Sequence, residues 1–207
     1  MNAAIIKNDT DYTFEEYLAF EEQALERYEY HNGKIVAMAG GTGNHGAIAN
    51  RMGTLLENEI DRSNENCIVF NSDVKVWIEK YNKAVYPDAS MGCDSIRYED
   101  ENKMVLSNPL LLVEVLSKST SAYDKSEKFE MYRSIPSFKE YVIVYQTIPR
   151  VQAWYKEAQG LWRISHALGL ESSIRIHTLD CAIPLRAIYK RILKDLQDIP
   201  VDLSETY

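Results

Sequence analysis

The chain has 207 residues, 45% of them hydrophobic and 26% charged, with a formal net charge of −8. This composition reads as one globular domain over 1–207, and no stretch approaches the ~18 consecutive apolar residues that a membrane span requires. An acidic balance also argues against a protein that grips nucleic acid through a broad basic surface alone.

The N-terminal apolar patch is broken by Lys7 and Asp9, which is unlike a secretory leader. Thr13-Phe-Glu-Glu16 fits a capping box, in which hydroxyl and carboxylate each satisfy an orphan amide, so a first helix is expected over 13–25. "ERYEYHNGKIVAMAG" alternates on either side of Asn32-Gly33 and predicts a hairpin of two short strands. In "HGAIANRMGTLLENEIDRS" the residues Ile48, Met52, Leu55, Leu56 and Ile60 recur near helical spacing, predicting an amphipathic helix. "CIVFNSDVKVWIEK" reads as strand, polar turn and strand, with Asp73 in the turn. "KAVYPDASMGC" reads as one short strand carrying Pro87-Asp88. A polar loop then leads to the apolar run 109–116, a buried strand in the middle of a sheet. A helix over 120–133 follows, capped by Ser119 or Thr120. Strands "KEYVIVYQ" and "RVQAWYKE", a weaker strand over 161–167 and a final strand with a short helix opening at Pro184 complete the chain. The order is mixed α/β.

Cys67, Cys93 and Cys181 are odd in number, widely spaced and lack a C-x-x-C pair. They are expected to be buried thiols of a cytoplasmic protein, neither a zinc site nor a disulfide frame. "GTGNHG" (41–46) satisfies G-x-G-x-x-G, but the strand before it belongs to a hairpin and no second crossover helix follows. The dinucleotide fingerprint needs both, so the glycines read as a permissive loop beside the helix.

Glu114 is the anomaly. An ionised carboxylate inside a buried strand costs several kcal/mol unless it is paired, so it must meet a cation, a set of hydrogen bonds or a metal. A salt bridge to a lysine or arginine of a packed helix would suffice for burial alone. Asp88, on a segment expected to pair close to 109–116, adds a second carboxylate at the same end of the sheet. Two carboxylates form an oxygen-rich site suited to Mg²⁺, with Mn²⁺ as a substitute.

Pro87-Asp88 followed by Glu114-Val115-Leu116 resembles the core of the PD-(D/E)XK nuclease superfamily, and more closely its Uma-type restriction endonuclease family. The resemblance is carried by "YEYHNGKIVAM" (28–38), His45, "YPDAS" (86–90), "LLVEVLSKST" (111–120), Asp124, Lys128 and Tyr132, "PSFKEYVIV" (136–144) and "IPLRAIY" (183–189), and it covers about 12–190. It implies a restriction-endonuclease-like fold, a mixed β-sheet flanked by helices, and metal-dependent hydrolysis of a DNA phosphodiester. Asp88 and Glu114 carry over as metal ligands. At 116 the chain departs from the pattern, because leucine stands where the family's lysine would position the attacking water.

Asp124, Lys128 and Tyr132 stand at i, i+4 and i+8, close to one helical stripe. Lys128 is therefore the expected substitute for the missing lysine, against a plain surface pairing with Asp124. Lys118 and Lys125 are weaker substitutes, and Tyr132 reads as core. Glu29 could add a third carboxylate or simply face solvent from its strand. His45 could touch a phosphate or serve as a capping residue. His31, His166 and His177 have no partner legible in the sequence. The basic stretch 117–139 offsets the acidic balance locally, and a homodimer or a basic partner would help hold DNA. Leu116 and the acidic surface favour a different class, a binding or regulatory module that keeps the fold without chemistry. A hydrolase of another phosphate ester is a third reading.

Overall fold

A computed structural model describes residues 11–38, 40–116 and 127–199. Helix α1 (Phe14–Gln23) opens on the expected capping box: Glu16 N donates to Thr13 Oγ1 at 3.1 Å, and Thr13 N donates to Glu16 Oε2 at 2.7 Å. Strands β1 (Tyr28–His31) and β2 (Lys34–Ala37) form the hairpin, with Asn32 at φ 47° and Gly33 at φ 88°, the left-handed pair that a type I′ turn demands. Helix α2 (Gly43–Ser63) is capped by Thr42, whose Oγ1 accepts from His45 N, and it buries Ile48, Met52, Leu56 and Ile60.

The chain continues through β3 (Cys67–Asn71), β4 (Lys75–Ile78), β5 (Lys83–Val85), β6 (Ala89–Cys93), β7 (Val105–Leu106) and β8 (Leu111–Leu116). Helix α3 (Phe129–Tyr132) follows, preceded by π-helical residues 127 and 128. Next come β9 (Glu140–Tyr145), β10 (Arg150–Lys156), β11 (Trp162–Leu168), β12 (Ser173–Ile176), β13 (Cys181–Pro184) and α4 (Leu185–Ile188). The start of the expected helix over 120–133, with Ser119, Thr120, Asp124, Lys118 and Lys125, lies outside the described residues.

A six-stranded sheet has the order β11-β10-β9-β8-β6-β3, with β8 and β9 parallel and the other neighbours antiparallel. A five-stranded sheet runs β2-β1-β5-β4-β7, and β12 pairs with β13. The strand 109–116 is central, as its continuous apolar run predicts. Leu111, Val113 and Val115 pack with α2 on one face, while Leu112 and Leu116 pack with Tyr132 and Phe138 on the other. With both faces covered there is no solvent side to alternate toward. Glu114 shares its face with Leu112 and Leu116.

Three expectations are corrected. "KAVYPDASMGC" is not one strand: β5 pairs with β1 and β4 in the smaller sheet, whereas β6 pairs with β3 and β8 in the larger. Tyr86-Pro87-Asp88 is the crossover, and Pro87 has no N–H to continue a ladder, so pairing breaks there. The cysteines are not three buried thiols. Cys67 and Cys93 are directly opposed in the β3·β6 register and form a disulfide, and Cys181 is free and half-buried. Spacing in sequence could not reveal this pair, because it depends on which residues the register places face to face. The segment 94–108, expected to be loop throughout, also contributes β7, whose two residues are too short to leave a periodic signal.

Candidate active site

The crossover gathers the chemistry. Asp88 N donates to the Val113 carbonyl at 3.1 Å, and its carboxylate turns back to accept the Val115 amide at Oδ2, 2.6 Å away. One side chain thus occupies the place of a ladder bond at the end of β8. His45 Nε2 lies 3.1 Å from the same oxygen. His45 is in the first turn of α2, and its Nδ1 rests against Gly41, where a Cβ would approach to 2.6 Å. The Gly-rich loop therefore has a local purpose that does not involve a dinucleotide: it leaves room for an imidazole that Asp88 holds. The Asp88 hydrogen bond raises the His45 pKa above its ordinary value, against the opposing effect of burial, with the Asp88 charge, the Val115 backbone and the Glu114 charge adding to the rise.

Glu114 is 4% exposed. Its Oε1 accepts from Lys128 Nζ at 2.7 Å and from Tyr132 OH at 2.8 Å. Lys128 is itself buried, at 8% exposure. Of the expected stripe, Lys128 and Tyr132 both point at the strand and meet on one carboxylate, while Asp124 lies outside the described residues. Tyr132, read from sequence as core, is fully buried and also a donor to Glu114. Its four-residue spacing from Lys128 was the available signal. Leu116 packs in the core on the same face.

Glu29 does not face solvent. From β1 its Oε1 accepts the Tyr86 amide at 3.1 Å, and its Oε2 lies 2.8 Å from His31 Nε2. Burial opposes its ionisation, yet the His31 hydrogen bond, the Lys128 charge and the Tyr86 amide together hold its carboxyl below the usual value. Asp88, Glu114 and Glu29 thus come from the crossover, the central strand of one sheet and a strand of the other. His45 and Lys128 link them, since each feels more than one of these carboxylates. Among the described residues no group of three or more His, Cys, Asp or Glu side chains is placed to hold a metal ion.

Beyond the carboxylates an open cleft of about 890 Å³ runs between one face of α2 and strand β3, bordered by His45, Gly46, Asn50, Asn71, Tyr86 and Asp88. The other two histidines have structural partners: Gln152 Nε2 lies 3.1 Å from His166 Nδ1, and the His177 ring stacks on Tyr155 at 4.5 Å. No helix among the described residues is long and apolar enough to cross a membrane.

Comparison with known proteins agrees with this architecture. Residues 14–185 match the model of the Uma2 family, described as "Putative restriction endonuclease". Two uncharacterised proteins of Synechocystis are similar in sequence. One, sll1609, is 36% identical over 163 residues, covering 78% of this chain and 90% of that protein. The other, slr1290, is 38% identical over 150 residues, covering 72% and 77% respectively. The crystal structure of "a putative nuclease belonging to DUF820" from Anabaena variabilis superposes with a TM-score of 0.69 at 14% identity, covering 88% of this chain and 99% of that one.

Proposed function

The chain belongs to the Uma2 restriction-endonuclease family, and from that premise we propose a Mg²⁺-dependent endonuclease that hydrolyses DNA phosphodiester bonds, with Mn²⁺ as a substitute. The observation that carries the reading is Asp88. Burial explains why Glu114 has a lysine, but it does not explain a second carboxylate beside it at the lip of an open cleft. The donor set suits a hard cation. Asp88 and Glu114 supply carboxylate oxygens, and Asp88 Oδ1 takes no hydrogen bond from the described residues. Mg²⁺ characteristically takes one or two protein carboxylates and leaves its other positions to water and phosphate, so a group of three protein ligands is not needed. Asp88 and Glu114 would hold the ion, which when bound would acidify a water and offset phosphate charge.

The remaining roles belong to the protein. Lys128 places an ammonium on the face of Glu114 where Leu116 offers none. There it orients the attacking water and counters the negative charge that grows on the phosphate. Tyr132 fixes the Glu114 carboxylate from the other side. His45, paired with Asp88 through Nε2 and seated over Gly41 through Nδ1, stands at the cleft wall and holds the Asp88 carboxylate in place. Glu29 holds the Tyr86 amide and so fixes the entry to Pro87-Asp88.

The competing reading, a binding module without chemistry, draws on Leu116 and on a Glu114–Lys128 pair that satisfies itself. One experiment separates the two. Purified protein is incubated with Mg²⁺ or Mn²⁺ on plasmid and on single-stranded DNA, beside Asp88→Ala. Metal-dependent cleavage that disappears in Asp88→Ala supports the nuclease; cleavage that survives in Asp88→Ala, or no cleavage by the parent protein, sinks it.

A further inference from the structure

Arg27 is the single arginine or lysine among the described residues that border the cleft, whose other charged neighbours include Glu26, Glu57 and Asp88. It stands just ahead of β1, with its guanidinium 5.8 Å from the centre of the Tyr86 ring, two residues before Asp88. Its fork is occupied across the cleft by the turn between β3 and β4. NH1 donates to the Ser72 carbonyl at 2.8 Å and to Ser72 Oγ at 3.1 Å, while NH2 pairs with the Asp73 carboxylate. Both charged partners are about half exposed, at 47% and 56%.

This is a set of oxygens around a planar fork, the arrangement that a phosphodiester also presents to arginine. An exposed ion pair contributes only about 0–1 kcal/mol, so its carboxylate is readily exchanged for another anion. Glu57, which also borders the cleft, accepts the Val69 amide at Oε1, 3.1 Å away.

We propose that Arg27 is a phosphate-contacting residue of the substrate cleft, and that Asp73 and Ser72 occupy its fork until a nucleic-acid phosphate displaces the carboxylate. The inference rests on the nuclease reading and deepens it, because it names the residue that grips the substrate backbone in a cleft with little other positive charge. Arg27 would act by binding, and Asp73 would compete with substrate. Loss of Arg27 and loss of the Asp73 charge therefore have opposite effects on affinity.

The test measures binding of a fluorescein-labelled DNA oligonucleotide by anisotropy, with Ca²⁺ replacing Mg²⁺ to hold off cleavage, at several salt concentrations. Arg27→Ala should weaken binding about tenfold, as expected for lost charge-assisted bonds, and reduce the salt slope by about one. Arg27→Lys should fall between Arg27→Ala and the parent. Asp73→Asn should tighten binding, by up to about fivefold. If Arg27 merely pins the β3–β4 turn, Arg27→Ala and Asp73→Asn will weaken binding together, and the proposal is overturned. It is equally overturned if Arg27→Ala binds like the parent. A parent protein that cleaves DNA while either of these results holds leaves the nuclease reading standing and removes only this inference. A parent that neither binds nor cleaves the oligonucleotide at low salt removes both.

Discussion

Lys128 Nζ lies 2.7 Å from Glu114 Oε1, on the sheet face where Leu116 packs into the core. A cation thus reaches the carboxylate from a helix that follows the strand, although the strand carries leucine two residues after its glutamate. Lysine's long stem allows this, since the ammonium can lie several ångströms from its own backbone.

The pair is buried on both sides, so breaking it should be costly. Lys128→Met should destabilise the fold by about 3–5 kcal/mol, because it removes the cation that faces the buried Glu114 carboxylate. Adding Glu114→Gln should recover much of that loss in urea unfolding, since the buried charge is gone. DNA cleavage should be absent from the single and the double variant alike. A double variant that cleaves DNA would remove both residues from the proposed chemistry.

Asp88→Asn separates structure from chemistry at the crossover. The amide oxygen can still accept the Val115 N–H, so stability should change by only about 1 kcal/mol. Metal-dependent cleavage of plasmid should nevertheless be lost. Thermal unfolding and a nicking assay on the same preparation check both halves of this expectation.

Glu29 gives a pH signature. Its carboxyl is held below the ordinary value in the folded state, chiefly by His31 and Lys128 overcoming burial. Its contribution to stability is therefore present above the unfolded carboxylate value of about 4.3 and lost as pH falls through the folded one. Glu29→Gln should be less stable than the parent at pH 7, by about 1 kcal/mol, and the gap should narrow on acidification. Urea midpoints at pH 7, 5 and 3.5 would read this; a constant gap would contradict it.

The disulfide joins β3, one wall of the cleft, to the strand that leaves Asp88. Reduction should lower the stability of the parent by about 2–4 kcal/mol. Cys67→Ser should unfold at the same urea concentration with or without dithiothreitol. Sensitivity of Cys67→Ser to the reductant would mean that another cysteine pairing is responsible.

Local patterns were legible without a structure. The capping box at Thr13 and Glu16, the Asn32-Gly33 hairpin, the buried stripe of α2 and the two-faced burial of 111–116 all follow from chemistry within a few residues. The anomaly at Glu114 was equally visible, because a carboxylate in an apolar run demands a partner, and helical spacing pointed to Lys128. What sequence could not supply was everything decided by which strands lie side by side. The split of 83–93 between two sheets, the facing of Cys67 and Cys93, the burial of Glu29 against Tyr86 and the Asp88–His45 contact each join residues far apart in the chain. So does Arg27, whose partners stand 45 and 46 residues away. Sequence alone determined that Glu114 needed a partner; only the tertiary packing decided that Lys128 and Tyr132 would supply it and that Asp88, Glu29 and His45 would gather nearby, because register and crossover geometry are properties of the assembled sheets.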